Sequence, residues 1–402
     1  MNNRGKTDHT IICQNIYKIF GREPNHLLRS LRDKESSDDF FARTGAVIAV
    51  RDVSFQVDTG ETFVIMGLSG SGKSTLVRCI SRLVEATSGE IWIDGDQVDK
   101  MDRRALQYLR RHKVAMVFQH FGNLPHKNVL DNVAYGLEIQ GAKRSLRTER
   151  AMEIIELVGL GGREYNYPNE LSGGMQQRVG LARALAVDPD ILLFDEPFSA
   201  LDPLIRRDMQ DELLNLQKQV KKTIVFITHD IIEAVKLGDR VAIMKDGEFI
   251  QVGTPASVIM NPVNNYVRDF VEDVPRSKVL KASSIATPIH TIKFDQTSEA
   301  DIFDNLADDQ SVICLVDADN RLVGITAYDN LAITIRQVRN STPSEPILKP
   351  GAFCNDNDSL EIVLQQLSGD NDQVIVVDNE KRVIGKITKS DALASLVPNT
   401  VD

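Results

Sequence analysis

Three stretches of this 402-residue chain pair residue types with spacings that suit polyphosphate chemistry. The first is Gly67-Leu68-Ser69-Gly70-Ser71-Gly72-Lys73-Ser74-Thr75, set between the apolar run 62–66 and the helical pattern LVRCISRLV. A glycine-rich loop between a buried strand and a helix lets backbone N–H groups face phosphate oxygens, and the helix N-terminus adds favourable partial charge. Lys73 is placed to neutralise β- and γ-phosphates, and Ser74 to bind Mg²⁺. The second stretch, Ile191-Leu192-Leu193-Phe194-Asp195-Glu196-Pro197, reads as a buried strand ending in two acids. Asp195 would hold Mg²⁺ through water and Glu196 would polarise an attacking water. The third, Leu171-Ser172-Gly173-Gly174-Met175-Gln176-Gln177-Arg178, leads into the helical run VGLARALAV and forms a second phosphate-seeking N-terminus. One nucleotide has one γ-phosphate, so two such sites about 100 residues apart are most economically used by a dimer. The phosphate loop of one subunit would then face the Ser-Gly-Gly turn of the other.

The elements that must hold these groups are legible as apolar runs joined by polar turns, an α/β pattern. A further strand, TIVFI, precedes Ile227-Thr228-His229-Asp230, and Val117-Phe118-Gln119 and Ser199-Ala200-Leu201-Asp202 complete the set. In this order and spacing, residues 11–272 resemble the ATP-binding cassette (ABC) family. The resemblance implies a P-loop ATPase domain with a helical subdomain at about 105–170, using ATP and Mg²⁺. It implies phosphate contacts from Gly67, Ser69, Gly70, Ser71, Gly72, Lys73, Ser74 and Thr75. Ser172, Gly173, Gly174 and Gln177 of the LSGGMQQ signature would serve the partner's nucleotide, together with Asp202. Glu196, His229 and Gln119 would be catalytic, and Ser74, Gln119 and Asp195 would serve the metal. Phe20, after the first strand, would stack on adenine, with Tyr17 as the alternative. Phe121, Leu124, Pro125 and His126 would either receive a permease helix or pack internally.

Residues 22–44 form an insertion before the second strand at 46–50, where most cassettes connect in a few residues. With VIMGLSGSGKST, FSALDPLIRRDMQDEL and IQVGTPASVIMNPVNNYVRDF, it resembles the ATPase subunits of glycine betaine/proline importers. That resemblance implies ATP hydrolysis coupled to import of a quaternary ammonium osmoprotectant. The implied partners are a second copy of the chain, an integral-membrane permease and an extracytoplasmic solute-binding protein or domain. Nucleic acid is not among them, and the chain would sit on the cytoplasmic face of the membrane. Two alternatives stand beside this reading. One is a soluble, non-transport ABC ATPase. The other is an importer subunit for another small solute, with the C-terminal domain as a dimer scaffold.

That C-terminal domain contains an internal repeat. Asp317 to Gly324 and Asp378 to Gly385 share one spacing, and Thr326-x-x-Asp329 matches Thr388-x-x-Asp391. Each copy reads strand, polar turn, strand, helix. The pattern resembles tandem CBS modules, at about 280–340 and 341–398, after an ABC domain at 1–275. The resemblance implies that Thr326, Asp329, Thr388 and Asp391 would bind an adenine nucleotide, with cyclic di-AMP as the regulatory ligand. The competing local reading is that Thr and Asp cap the following helix. A second possible input is ionic strength, through Arg336 and Arg339, or Lys381, Arg382, Lys386 and Lys389, against anionic lipid.

Composition narrows the class. The net charge of −10 disfavours a basic nucleic-acid surface. No stretch is apolar for long enough to span a membrane, and the N-terminus lacks an apolar signal core. Cys13, Cys79, Cys314 and Cys354 are scattered, as reduced thiols would be. The acidic excess is concentrated after residue 275, where 127 residues hold 12 basic and 19 acidic side chains.

Overall fold

Long strands with alternating burial and short strands with continuous burial build two different sheets in the N-terminal part of the chain. A computed structural model describes residues 9–32, 35–118, 122–199, 201–293, 313–326, 353–369 and 371–396. Strands β1 (His9–Phe20) and β2 (Val47–Asp58) pair antiparallel, from His9 opposite Asp58 to Phe20 opposite Val47. On β2, Val50, Val53, Phe55 and Val57 are buried while Ser54 and Gln56 face out, the period of a half-covered antiparallel sheet. By contrast, β3 (Thr62–Met66) is buried at every residue. Strands β4 (Ser88–Ile93) and β5 (Asp96–Gln97) complete the first sheet in the order β2-β1-β4-β5.

The second sheet contains β3, β6 (Val114–Val117), β7 (Ile191–Asp195), β8 (Thr223–Thr228), β9 (Arg240–Lys245) and β10 (Glu248–Gly253). Its order is β10-β9-β3-β8-β7-β6, parallel throughout except for β10 at one edge. Strands β7 and β8 are also buried at every residue, as expected of parallel strands covered on both faces. Register decides function here. Met66 lies opposite Thr228, and Asp195 opposite Ile227, so the loops after β3, β7 and β8 leave from one edge. Ligands of open parallel sheets bind beyond the carboxyl ends of their strands.

The helices Val129–Ile139, Arg144–Leu157 and Gly173–Ala186 pack on one another as a helical layer. That layer starts later than the expected residue 105, because Val114–Val117 joins the sheet by pairing with Ile191–Phe194. The insertion at 22–44 folds into the helices Pro24–Arg29 and Ser37–Thr44. Phe40 is fully buried there against Ile19, Ala46 and Ile48. Arg43 pairs with Glu35 at 2.7 Å, and Arg51 donates to the Glu35 carbonyl at 2.6 Å. The four cysteines are free and buried; burial pushes Cys79 up to about 11, and Cys314 and Cys354 up to about 12.

The chain divides into two compact units, Met1–Val258 with Pro262–Val271, and Ile259–Asn261 with Glu272–Asp402. The change at Val271/Glu272 lies slightly before the boundary read from the sequence, and Ile259–Asn261 groups with the second unit. Within that unit one pairing pattern occurs twice. Strand β11 (Thr291–Lys293) is parallel to β12 (Ile313–Val316), which is antiparallel to β13 (Leu322–Thr326). Strands β14 (Phe353–Asn355), β15 (Gln373–Val377) and β16 (Val383–Thr388) repeat it. The copies exchange equivalent bonds: Leu322 N–H donates to Lys381 O at 2.8 Å, and Val383 N–H to Asn320 O at 3.0 Å. Cys314, Leu322, Ile375 and Val377 share one core.

Candidate active site

The phosphate loop is shaped by close backbone approach. A Cβ on Gly72, at φ +102°, would lie 2.0 Å from the Ala49 carbonyl oxygen, so only glycine fits where the helix Lys73–Ile80 begins. Lys73 is 3% exposed, and its Nζ donates to the carbonyls of Gly67 at 2.8 Å and Leu68 at 2.9 Å. Burial lowers its pKa, which Glu196, with Oε1 3.7 Å away, opposes. Ser71 Oγ is buried in the loop without a hydrogen-bond partner, a hydroxyl free to meet a phosphate oxygen. Ser69 and Gly70 are exposed, while Ser74 and Thr75 are half-buried.

From the neighbouring strands come the acids and the histidine. Ser74 Oγ donates to Asp195 Oδ1 at 2.6 Å. A hydroxyl beside a carboxylate at a phosphate loop is the sparse, all-oxygen donor set that Mg²⁺ accepts, its other positions being water and phosphate. Arg78 pairs with the other oxygen of Asp195 at 3.1 Å, a contact that no spacing in the sequence signals. Glu196 has φ +48°, a left-handed conformation that a non-glycine residue adopts only when its surroundings hold it. Its amide donates to Ile227 O at 3.2 Å, and its Oε2 lies 3.0 Å from His229 Nδ1. One edge of the sheet therefore gathers Lys73, Ser74, Asp195, Glu196 and His229.

Other candidate residues lie apart from this cluster. Ser172 caps the helix Gly173–Ala186, accepting from Met175 N–H at 3.3 Å, and is exposed with Gly173. No hydrogen bond among the described residues joins Ser172 to the phosphate loop. Gln177 differs from expectation: it is 2% exposed, and its Oε1 has no partner. Helical periodicity explains this, because Gly174, Gln177 and Leu181 fall on the buried stripe of their helix. Gln177 therefore faces the interior of its own subunit and not a surface open to a second nucleotide. Asp202 is exposed and caps the helix Pro203–Val220 through Leu204 and Ile205 N–H. Phe20, 45% exposed at the end of β1, presents a face under Lys18 Nζ at 4.9 Å, whereas Tyr17 is half-buried. Gln119 and Phe121 lie outside the described residues.

In the second unit, Thr388 Oγ1 donates to Asp391 Oδ2 at 2.7 Å and accepts from Asp391 N–H at 3.1 Å. Thr388 N–H donates to the same carboxylate at 3.0 Å, so the pair caps the helix Lys389–Leu396. Asp329, the side chain of Thr326, Arg336 and Arg339 lie outside the described residues. Arg382 pairs with Glu380, and Lys389 with Asp372 at 3.3 Å, ordinary exposed ion pairs.

Comparison with known proteins finds relatives for both parts of the chain. The ABC transporter family profile matches residues 50–199, and the CBS domain profile matches 343–398, the second copy of the repeat. The chain is 44% identical to the glycine betaine transport ATP-binding protein OpuAA of Bacillus subtilis, covering 97% of this chain and 93% of that protein. It is 49% identical to the trimethylamine N-oxide transport system ATP-binding protein TmoW of Pelagibacter ubique, over 79% of this chain and 95% of that one. Among solved structures, the dimeric bacterial ABC transporter cassette MJ0796 superposes with a TM-score of 0.52 at 33% identity. It covers 61% of this chain and 98% of that one.

Proposed function

The chain belongs to the ABC transporter family as an ATP-binding subunit, and on that premise we propose that it energises import of glycine betaine or a close quaternary ammonium relative through a membrane permease. The carrying observation is the extent of likeness to the glycine betaine subunit, 97% of this chain, which takes in both the insertion and the C-terminal repeat. The higher identity to the trimethylamine N-oxide subunit favours a second cargo of the same chemistry, a small methylated amine. The solute itself would be read by the permease and its receptor.

The chemistry follows from the cluster at the sheet edge. The phosphate loop and Lys73 bind and neutralise the polyphosphate, while Ser74 and Asp195 hold Mg²⁺, which supplies further charge neutralisation when bound. Glu196 orients and polarises water, and His229 shares its carboxylate and faces the same space. Phosphoryl transfer needs little covalent help, so position and charge do most of the work. Two copies would close head to tail, each Ser172-Gly173-Gly174 turn completing the other's phosphate loop; the dimeric cassette among the solved structures supports this. For the permease, a cleft of about 300 Å³ lined by Leu83, Met116, Phe118, Tyr135 and Ile139 offers an apolar seat. Of the residues expected there, Leu124 is half-buried, and its backbone N–H donates to Asn132 Oδ1 at 2.8 Å. Among the described residues no helix is long and apolar enough to cross a membrane. The proposed place, supported by the likeness to transporter ATP-binding proteins, is the cytoplasmic face, through the permease, with an extracytoplasmic receptor as third partner.

Uptake by proteoliposomes containing the complete transporter tests the cargo. ATP-dependent accumulation of labelled glycine betaine is expected. Accumulation of trimethylamine N-oxide alone would move the assignment to the second cargo, and uptake of neither would reject both. For the repeat unit the proposal is a regulatory adenine nucleotide, cyclic di-AMP, at Thr388 and Asp391 and their counterparts Thr326 and Asp329. Titration of the dinucleotide into the full chain should give saturable heat that Asp391→Ala abolishes. No heat would leave the helix cap as the whole role of this pair.

A further inference from the structure

One buried carboxylate has no part in the chemistry above. Glu233 is 4% exposed, in the helix Ile231–Leu237 that follows the histidine. Its Oε2 accepts from Thr228 Oγ1 at 2.7 Å, and its Oε1 accepts from Gln210 Nε2 at 3.1 Å. Arg206 Nε lies 3.8 Å from the same Oε1. Burial raises the Glu233 pKa, and the Thr228 hydrogen bond opposes that rise. A carboxylate this deep is costly unless its bonds are fixed, so its partners are held in turn.

Thr228 transmits the constraint. Its hydroxyl gives its proton to Glu233 and accepts from Asp230 N–H at 2.9 Å. Thr228 and Asp230 flank His229 on either side. The turn carrying the imidazole is thus clamped across its own backbone, with His229 Nδ1 3.0 Å from Glu196. Arg206 reaches the same turn from the helix Pro203–Val220, with Nη1 3.5 Å from Asp230 Oδ2 and Nη2 donating to Leu201 O at 3.1 Å. The turn after β8 and the loop after β7 are therefore tied together through one guanidinium.

We propose that Thr228 and Glu233 are positioning residues for His229: the buried carboxylate orients the threonine hydroxyl, and the hydroxyl fixes the turn that aims the imidazole at Glu196. Neither residue touches nucleotide. Their effect is on turnover and passes through His229, and ATP affinity does not depend on them. The inference rests on the ATPase reading of the site, but its test compares variants with each other, so failure of either is recognisable. Absence of ATPase in the unsubstituted chain would strike at the reading itself.

The experiment is steady-state ATP hydrolysis by the full chain, with melting followed in parallel. Thr228→Val keeps the shape and removes the hydroxyl; kcat should fall about 10- to 100-fold, with KM for ATP unchanged, as for a misplaced catalytic group. Thr228→Ser restores the hydroxyl and should stay within about twofold of the unsubstituted chain, the usual scatter of uncoupled changes. In a His229→Ala background, Thr228→Val should lower the residual rate no further. Equal losses for Val and Ser, a rise in KM at constant kcat, or the full loss repeated in the His229→Ala background would each overturn the proposal. If Thr228→Val melts below the assay temperature, Glu233→Gln takes its place: kcat should fall with KM for ATP unchanged, and a rise in KM at constant kcat, or the full loss repeated in the His229→Ala background, would overturn the proposal.

Discussion

Glu196 carries the sharpest constraints of any single residue. Its backbone is left-handed at φ +48°, its carboxylate meets His229 at 3.0 Å and Lys73 at 3.7 Å, and only the side-chain oxygens reach toward the phosphate loop. Glu196→Gln preserves shape and backbone while removing the base. Turnover should fall by about 10²- to 10⁴-fold, the usual worth of a general base, with nucleotide binding retained. Equilibrium binding of a fluorescent ATP analogue beside phosphate release separates the two effects; wild-type turnover would disprove the assignment. Gly72 sets a different limit, because any Cβ there meets the Ala49 carbonyl at 2.0 Å. Gly72→Ala should abolish nucleotide binding and lower the melting temperature together, which distinguishes a broken loop from a missing base.

At the scale of elements, the insertion is a small folding unit attached to β1 and β2. Phe40 is its fully buried anchor, so Phe40→Ala should cost about 3–5 kcal/mol locally. Hydrogen exchange over residues 22–44 should rise while exchange in β3 and β8 stays slow. Glu35 gives the same element a pH signature. The hydrogen bond from Arg43, followed by the Arg32 amide bond, holds its pKa at about 2, below the ordinary 4.5. The native state binds fewer protons than the unfolded chain in that interval, so the stabilisation is present above 4.5 and fades as pH falls toward 2. The stability difference between the natural chain and Glu35→Gln should therefore be constant near neutrality. It should shrink on acidification below 4.5, as measured by urea unfolding at a series of pH values.

For the whole molecule, one nucleotide has one γ-phosphate, and among the described residues no hydrogen bond joins the Ser172 helix end to the phosphate loop, so two such ends are most economically used by a dimer. Mixing subunits bearing Lys73→Ala with subunits bearing Ser172→Arg tests the composite arrangement. Each mixed dimer keeps one intact pair of loop and turn, so ATP-driven association should reappear in the mixture and be absent from either variant alone. No restored association would count against the closed dimer. The repeat unit shows the same economy internally. Leu322 bonds to Lys381 and Val383 to Asn320, so two weak three-stranded sheets become one core. Gly385 marks a separate close approach, since a Cβ there would come within 2.4 Å of Thr287 O.

Much of the catalytic edge was legible in the sequence because its signals are local. Gly67 through Thr75, the acids after an apolar strand and the Ser-Gly-Gly helix start each prescribe a backbone shape within a few residues. The repeat was legible because the seven-residue step from Asp to Gly and the Thr-x-x-Asp element both recur, the first copy being one residue shorter between its Gly and Thr. Partnership between distant residues was not. Arg78 with Asp195, Gln210 with Glu233, and Arg206 with Asp230 join positions that no spacing relates; only the register of β3, β7 and β8 brings those elements together. The inward face of Gln177 and the recruitment of Val114–Val117 into the sheet were likewise settled by packing. A short apolar run carries no mark of its neighbour, and a polar side chain five residues into a helix belongs to whichever face tertiary contacts bury.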